Sequence, residues 1–172
     1  MASVVRDYYI NGDRREYFQI NGKREGSIKS YKSNGDLINS IQHFNGIQQG
    51  ISLNYIGNNI LSIGYYINDK LEGPNTMFDE KNNIISITHM INNKANFMNR
   101  MYNENNILYY KSFLYDNKVE GKNMSYHSNG SIWFINENVN NKLNGEVKQY
   151  DINGKLIGHE ICENGRSVKR LL

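Results

Sequence analysis

The sequence predicts an all-β fold, an elongated single-layer antiparallel meander of about seven stacked β-hairpin repeats. Two observations carry this. Aromatic residues Tyr8, Tyr31, Tyr55, Phe78, Tyr102, Tyr126 and Tyr150 follow one another at steps of 23 or 24 residues. Turn-forming Asn and Gly recur at two places within each step, leaving room for two short strands and for no capped helix.

Taken in order, residues 1–7 form an N-terminal strand that caps the array, and each repeat after it has the same parts. A second column, Ile20, Phe44, Ile67, Ile91, Tyr115, Val139 and Glu163, keeps step with the first. From Ile20 to Tyr31 through Val139 to Tyr150 the separation is always 11, so only the other segment of the repeat varies. The first turn follows the aromatic, at 33–35, 57–59, 81–83, 128–130 and 152–154. The second follows the other column, at 45–46, 68–69, 92–93, 116–117 and 140–141. Asn and Gly accept the positive φ that tight hairpins need. Between turns lie five to seven residues with period-two placement, such as Ile51, Leu53 and Tyr55, or Ile85, Ile87 and Ile91. A glycine stands five residues before the aromatic at Gly26, Gly50, Gly73, Gly121 and Gly145, where it permits a bend or a close backbone approach. Phe97 breaks that column, and with Pro74 and Phe78 it makes the unit at 74–97 the most divergent.

Composition bounds the function. The chain has 172 residues, 38% hydrophobic with 13 Tyr counted among them, and 29 Asn and 15 Gly against one Pro. Random placement of so much Asn and Gly would read as disorder; the period places them in turns. Net charge is +3, with Lys and Arg dispersed as Arg14 and Arg15, Lys23 and Arg24, Lys169 and Arg170. That is no basic stripe, so nucleic-acid binding is not expected. No apolar run approaches the ~20 residues of a membrane span, and the N-terminus lacks a signal peptide's apolar region. Cys162 is the one cysteine. An intracellular, cytoplasmic protein is expected.

Catalytic constellations are thin. His43, His89, His127 and His159 fall at different offsets from their repeat's aromatic and do not converge as metal ligands would. His159 and Cys162 are three residues apart, on opposite faces of an alternating strand. Asp79 and Glu80 sit in a turn. No enzyme activity, cofactor or metal is expected. Lys23, Lys70, Lys94, Lys118, Lys142 and Arg166 form a charged row beside the second turns, partly neutralised by Glu25, Glu72 and Glu120, and read as a solubility device.

The units "NNKLNGEVKQYDINGKL" and "NGIQQGISLNYIGNNIL" resemble the MORN repeat, in its longer variant of antitoxin-like bacterial proteins and large DNA viruses. The resemblance runs over residues 8–168, with 169–172 as a C-terminal cap, and implies a single array over 1–172. It implies a ribbon of hairpins on the order of 65 Å long and roughly 20 Å wide. Stacked Tyr columns would form an aromatic ridge, ring on ring. The family points to a non-catalytic scaffold for protein–protein interaction, self-association or assembly. Alternatives are an antitoxin-like module neutralising a toxin, and peripheral binding of anionic lipid headgroups. If the chain is viral, the host cytoplasm or the virion is its place.

A single layer has no second layer to cover it. Alternation puts Ile38, Ile85, Ile87, Tyr109, Phe113, Trp133, Ile135, Ile157 and Ile161 on one parity and Leu61, Ile63, Tyr110 and Phe134 on the other. Tyr109, Phe113, Trp133 and Ile135 are the candidate interface, because aromatic side chains dominate contact energetics.

Overall fold

The computed structural model describes residues 1–172 and contains no helix. Its strands are β1 (Ala2–Tyr8), β2 (Arg14–Ile20), β3 (Lys23–Tyr31), β4 (Leu37–Phe44), β5 (Ile47–Ile56), β6 (Asn59–Ile67), β7 (Lys70–Phe78), β8 (Ile84–Ile91), β9 (Lys94–Tyr102), β10 (Leu108–Tyr115), β11 (Lys118–Val119), β12 (Gly121–Tyr126), β13 (Ile132–Val139), β14 (Lys142–Tyr150), β15 (Leu156–Glu163) and β16 (Arg166–Arg170). They pair in chain order as one open antiparallel meander, with β11 on β10 off the main path. Most are longer than the apolar runs because pairing extends into the polar residues beside each turn. The chain falls into two compact units, Met1–Ile84 with Met90–Asn93, and Ile85–His89 with Lys94–Leu172. No helix is long and apolar enough to cross a membrane.

The second turns are two-residue loops with positive φ at both central positions: Asn21–Gly22, Asn45–Gly46, Asn68–Asp69, Asn92–Asn93, Asp116–Asn117, Asn140–Asn141 and Asn164–Gly165. This is the type I′ geometry, whose twist matches that of the flanking strands. The first turns are mostly three-residue loops closed by a left-handed residue. In the loop after Tyr8, Gly12 N–H donates to Tyr9 O and Tyr9 N–H to Asp13 O, and Gly35, Asn82, Asn106, Gly130 and Gly154 repeat the role of Gly12. Each of the longer repeats also carries one extra residue on the strand after this turn, as Ile38 lies between the pairs Ser30↔Asn39 and Tyr31↔Leu37. Two one-residue deletions account for the 23-residue steps. β1 and β2 pair without that bulge, and the β5–β6 loop shrinks to two residues with Gly57 at its first position.

The glycine column marks a second bulge, inside the constant segment. Between Ile41↔Ser52 and His43↔Gln48, one residue of β4 faces three of β5. The same excess occurs around Gly26, Gly73 and Gly145. Column residues all have positive φ, but in two classes. Gly26, Gly73, Phe97 and Gly121 lie at 61–74°, whereas Gly50 and Gly145 lie at 109° and 125°. In the second class a side chain folds across the glycine: Gln42 Oε1 accepts the Ile51 N–H at 2.9 Å, and an added Cβ on Gly145 would stand 2.5 Å from Glu137 Oε2. Phe97 can replace glycine because its bulge belongs to the open class. It is 59% exposed and its ring meets His89 edge-on at 5.7 Å.

Successive I′ turns are stapled together, and this explains the Asn bias. Within the N-terminal unit, Asn93 N–H donates to Leu71 O while Asn93 Oδ1 accepts the Leu71 N–H at 2.7 Å. Glu72 Oε1 accepts Asn92 N–H at 2.9 Å. Asn141 makes the same reciprocal pair with Val119 in the C-terminal unit, and Glu120 caps Asn140. An Asn at these positions supplies both a positive φ and a side-chain acceptor, which no β-branched residue can do.

The expected ridge of stacked Tyr rings does not form. Equivalent positions recur only every second strand, roughly 9.6 Å apart at ~4.8 Å per strand, beyond the 4.5–7 Å of ring pairs. Tyr31 instead lies under the Arg14 guanidinium at 4.2 Å. The ring pairs are His89 with Phe97, His127 with Trp133 and Trp133 with Phe134.

Candidate interaction surface

Strand register assigns each side chain to a face. In the N-terminal unit, Glu16, Lys29, Ser40, Leu53, Ile63 and Thr76 form one cross-strand row. Alternation from that row puts Phe18, Ile20, Phe44, Ile51, Tyr65 and Ile67 on the same face, and all six are exposed, Phe44 at 68%. The opposite face carries the row Ile28, Ile41, Ser52 and Gly64, and with Tyr17 and His43 it holds the buried residues of this unit.

The C-terminal unit repeats the arrangement. Lys111, Met124, Ile135, Lys148 and His159 form a row on one face. Alternation adds Phe113, Tyr115 and Val139 to it, with Tyr115 71% exposed. The other face buries Ser112 at 1% and Asn123 at 0%, together with Asn138 and Cys162. Its polar groups bond to one another. Thr88 Oγ1 donates to Asn99 Oδ1 at 2.8 Å, and Asn138 Nδ2 to Asn136 Oδ1 at 2.8 Å. The bulged hairpins bury small polar side chains beside the apolar ones of the inner face and leave large apolar side chains in water on the outer face.

The structure places the four candidate interface residues in two groups. Phe113 and Ile135 share the outer face. Tyr109 and Trp133 are the extra residues of bulges, where alternation breaks. The Trp133 ring stands 4.8 Å from Phe134, and Tyr109 Oη is 3.8 Å from Met101 Sδ. Phe134 and Met101 belong to the inner-face rows. Both rings therefore sit at a hairpin end, exposed, beside residues of the other parity. The parity split was right for Tyr110 and Phe134, which lie inward. Ile63 lies outward instead, in the row of Ser40 and Leu53, because the two-residue loop at Gly57 shifts the numbering by one, and Leu61 is the extra residue of its own bulge. Five of the seven residues of the second column, Ile20, Phe44, Ile67, Tyr115 and Val139, are exposed apolar side chains of the outer face. The column's position immediately before each I′ turn was the signal available.

The lysine row has a structural use. Lys70 Nζ donates to Asn92 Oδ1 at 2.8 Å and Lys118 Nζ to Asn140 Oδ1 at 3.0 Å, while Lys94 pairs with Asp116. Each reaches the next turn, so these charges are tethered. Elsewhere, Glu146 is bonded to Lys148, which lowers the carboxyl pKa and raises that of the amine. His159 Nε2 lies 3.4 Å from Glu146 Oε1. Burial, then the Glu160 carboxylate, pushes the Cys162 thiol up, the opposite of an activated nucleophile. No group of three or more His, Cys, Asp or Glu could hold a metal ion.

No protein-family model matches the chain, and no curated protein matches it. Among solved structures it is similar to a mutant of S. aureus TarM in complex with fondaparinux, alpha-GlcNAc-glycerol and UDP, at 13% identity and a TM-score of 0.20. The match covers 97% of this chain and 21% of that one, so the chain spans about a fifth of that protein's length. At that TM-score the likeness carries no argument.

Proposed function

We propose that the chain is a non-catalytic repeat scaffold of the MORN-variant kind, one array over 1–172, whose outer apolar face receives another protein or a second copy of the chain. The observation that supports this is the distribution of side chains between the two faces. Soluble monomers rarely expose contiguous apolar patches beyond about a few hundred Å², and both units expose several large apolar residues on the face opposite their buried polar groups. In the C-terminal unit Phe113, Tyr115, Ile135 and Val139 alternate on this face with Lys111, Lys122, Glu137 and Lys148, and the exposed Tyr109 and Trp133 rings stand at hairpin ends as further aromatic contacts. An intracellular setting accords with the single cysteine. Toxin neutralisation would be one form of such binding.

Trp133→Glu is expected to keep the circular dichroism spectrum and melting point of the isolated chain while abolishing dimerisation or partner capture in size-exclusion light scattering. A protein that is strictly monomeric, captures nothing and is destabilised by Trp133→Ala would assign these residues to the core instead.

A further inference from the structure

The inner face of the N-terminal unit holds a cavity of about 110 Å³ whose lining includes Arg15, Arg24, Ser30, Asn39, His43 and Gln48. At ~10–15 Å³ per water, that is room for a small solvated ion and for nothing the size of a cofactor. Two guanidiniums reach it from opposite ends of the β2–β3 pair, where Arg15 pairs with Ser30 and Gln19 with Arg24. Both are prepositioned on aromatic rings, Arg24 over Tyr17 at 5.1 Å and Arg15 over Tyr9 at 5.7 Å. Neither is in an ion pair, whereas Arg6 and Arg14 on the other face share Glu16. Asp7 of β1 stands opposite Arg15 in register. No carboxylate lines the cavity itself. His43 is buried and donates from Nδ1 to Ile41 O at 3.1 Å, which fixes the ring beside the cavity.

We propose that this cavity binds a small tetrahedral oxyanion, inorganic phosphate or the phosphate of a monoester. Guanidiniums match phosphate geometry bidentately, and Ser30, Asn39 and Gln48 add neutral donors around the remaining oxygens. A tetrahedral anion accepts from every side, which suits donors arriving from four strands. This site is separate from the outer apolar face and does not depend on its role.

The test is titration of the full chain with sodium phosphate against sodium chloride at matched ionic strength, followed by thermal melting and by 31P line width. Saturable stabilisation by phosphate alone is expected. Arg24→Gln and Arg15→Gln should each weaken it by about tenfold or more, since each removes a charge-assisted hydrogen bond. Arg14→Gln, on the other face, should leave it unchanged. Arg24→Lys guards against a folding defect: it keeps the charge and the stem and should retain part of the binding. Vesicles containing phosphatidic acid separate the sources. Sedimentation with them that is lost in Arg24→Gln would put the phosphate on a lipid, and its absence would leave a soluble ligand. A response to chloride equal to that to phosphate, or phosphate binding undiminished in both Gln variants, overturns the proposal.

Discussion

Gly145→Ala and Gly121→Ala alter the same position of the repeat in neighbouring hairpins, and the structure expects different outcomes. At Gly121, φ is 68° and nothing lies within 4 Å of an added Cβ. The cost is then the left-handed backbone alone, about 1–2 kcal/mol, offset by about 0.4–1 kcal/mol because Ala narrows the unfolded ensemble. The net is about 0–1.6 kcal/mol. At Gly145, φ is 125°, and the new Cβ would meet Glu137 Oε2 at 2.5 Å and Glu137 Cβ at 3.1 Å. Backbone strain of about 1–3 kcal/mol combines with displacement of a packed side chain, typically another ~1–3 kcal/mol. Less the same ~0.4–1 kcal/mol offset, a net of about 1–5.6 kcal/mol follows, or a fall of roughly 2–22 °C in Tm at ~2–4 °C per kcal/mol for a chain of this size. Gly121→Ala should move Tm by no more than roughly 6 °C, and by less than Gly145→Ala does. Circular dichroism melts of the two variants decide it. Equal melting points, or a larger loss at Gly121, would refute the division of the bulges into an open and a closed class.

Two further outcomes follow from the turns and the inner face. Asn141→Gly keeps the I′ turn but removes the acceptor for Val119 N–H, so it should cost about 0.5–1.5 kcal/mol in a urea melt; no loss would mean that the staple contributes nothing. Asp79 is held below its ordinary pKa of 3.8, chiefly by the Asn83 side chain and backbone. A depressed carboxyl stabilises the fold above its unfolded pKa and loses that contribution as pH falls through the folded value. Asp79→Asn should therefore flatten the acid limb of the stability profile, with the turn preserved as it is at Asn103, whose side chain caps Asn105 and Ile107. An unchanged acid limb would remove Asp79 from the account.

The fold was legible because turn chemistry is local. Asn–Gly, Asn–Asn and Asp–Asn each announce a positive-φ loop without reference to anything distant, and the period did the rest. The faces were harder to read. Parity counting assumes two residues per pleat, and each full repeat breaks that count twice, at the glycine bulge and at the extra residue represented by Ile38, Tyr109 and Trp133. Ile63 departs from the count because one loop is a residue shorter, and Leu61 because it is the extra residue of that hairpin. Nor could the sequence show that Ser112 and Asn123 would be the most buried side chains, because polarity normally argues for the surface. The Arg15 and Arg24 cavity was hidden by the same habit. Its arginines lie nine positions apart on different strands and resemble dispersed surface charge until the strands pair.

On this sheet the outer face leaves Phe44, Tyr65, Phe113 and Tyr115 in water, while the inner face buries Tyr17, Ile28 and Cys162 together with the small polar Ser52, Ser112 and Asn123. Hydroxyl-radical footprinting of the dilute chain, read residue by residue by mass spectrometry, tests this arrangement most directly. Heavy modification of Phe44, Tyr65, Phe113 and Tyr115 is expected, with Tyr17 and Cys162 protected despite the intrinsic reactivity of their side chains. Modified Tyr17 and Cys162 beside protected Phe44 and Tyr115 in a monomer would mean that the sheet closes over the opposite face, and would contradict it.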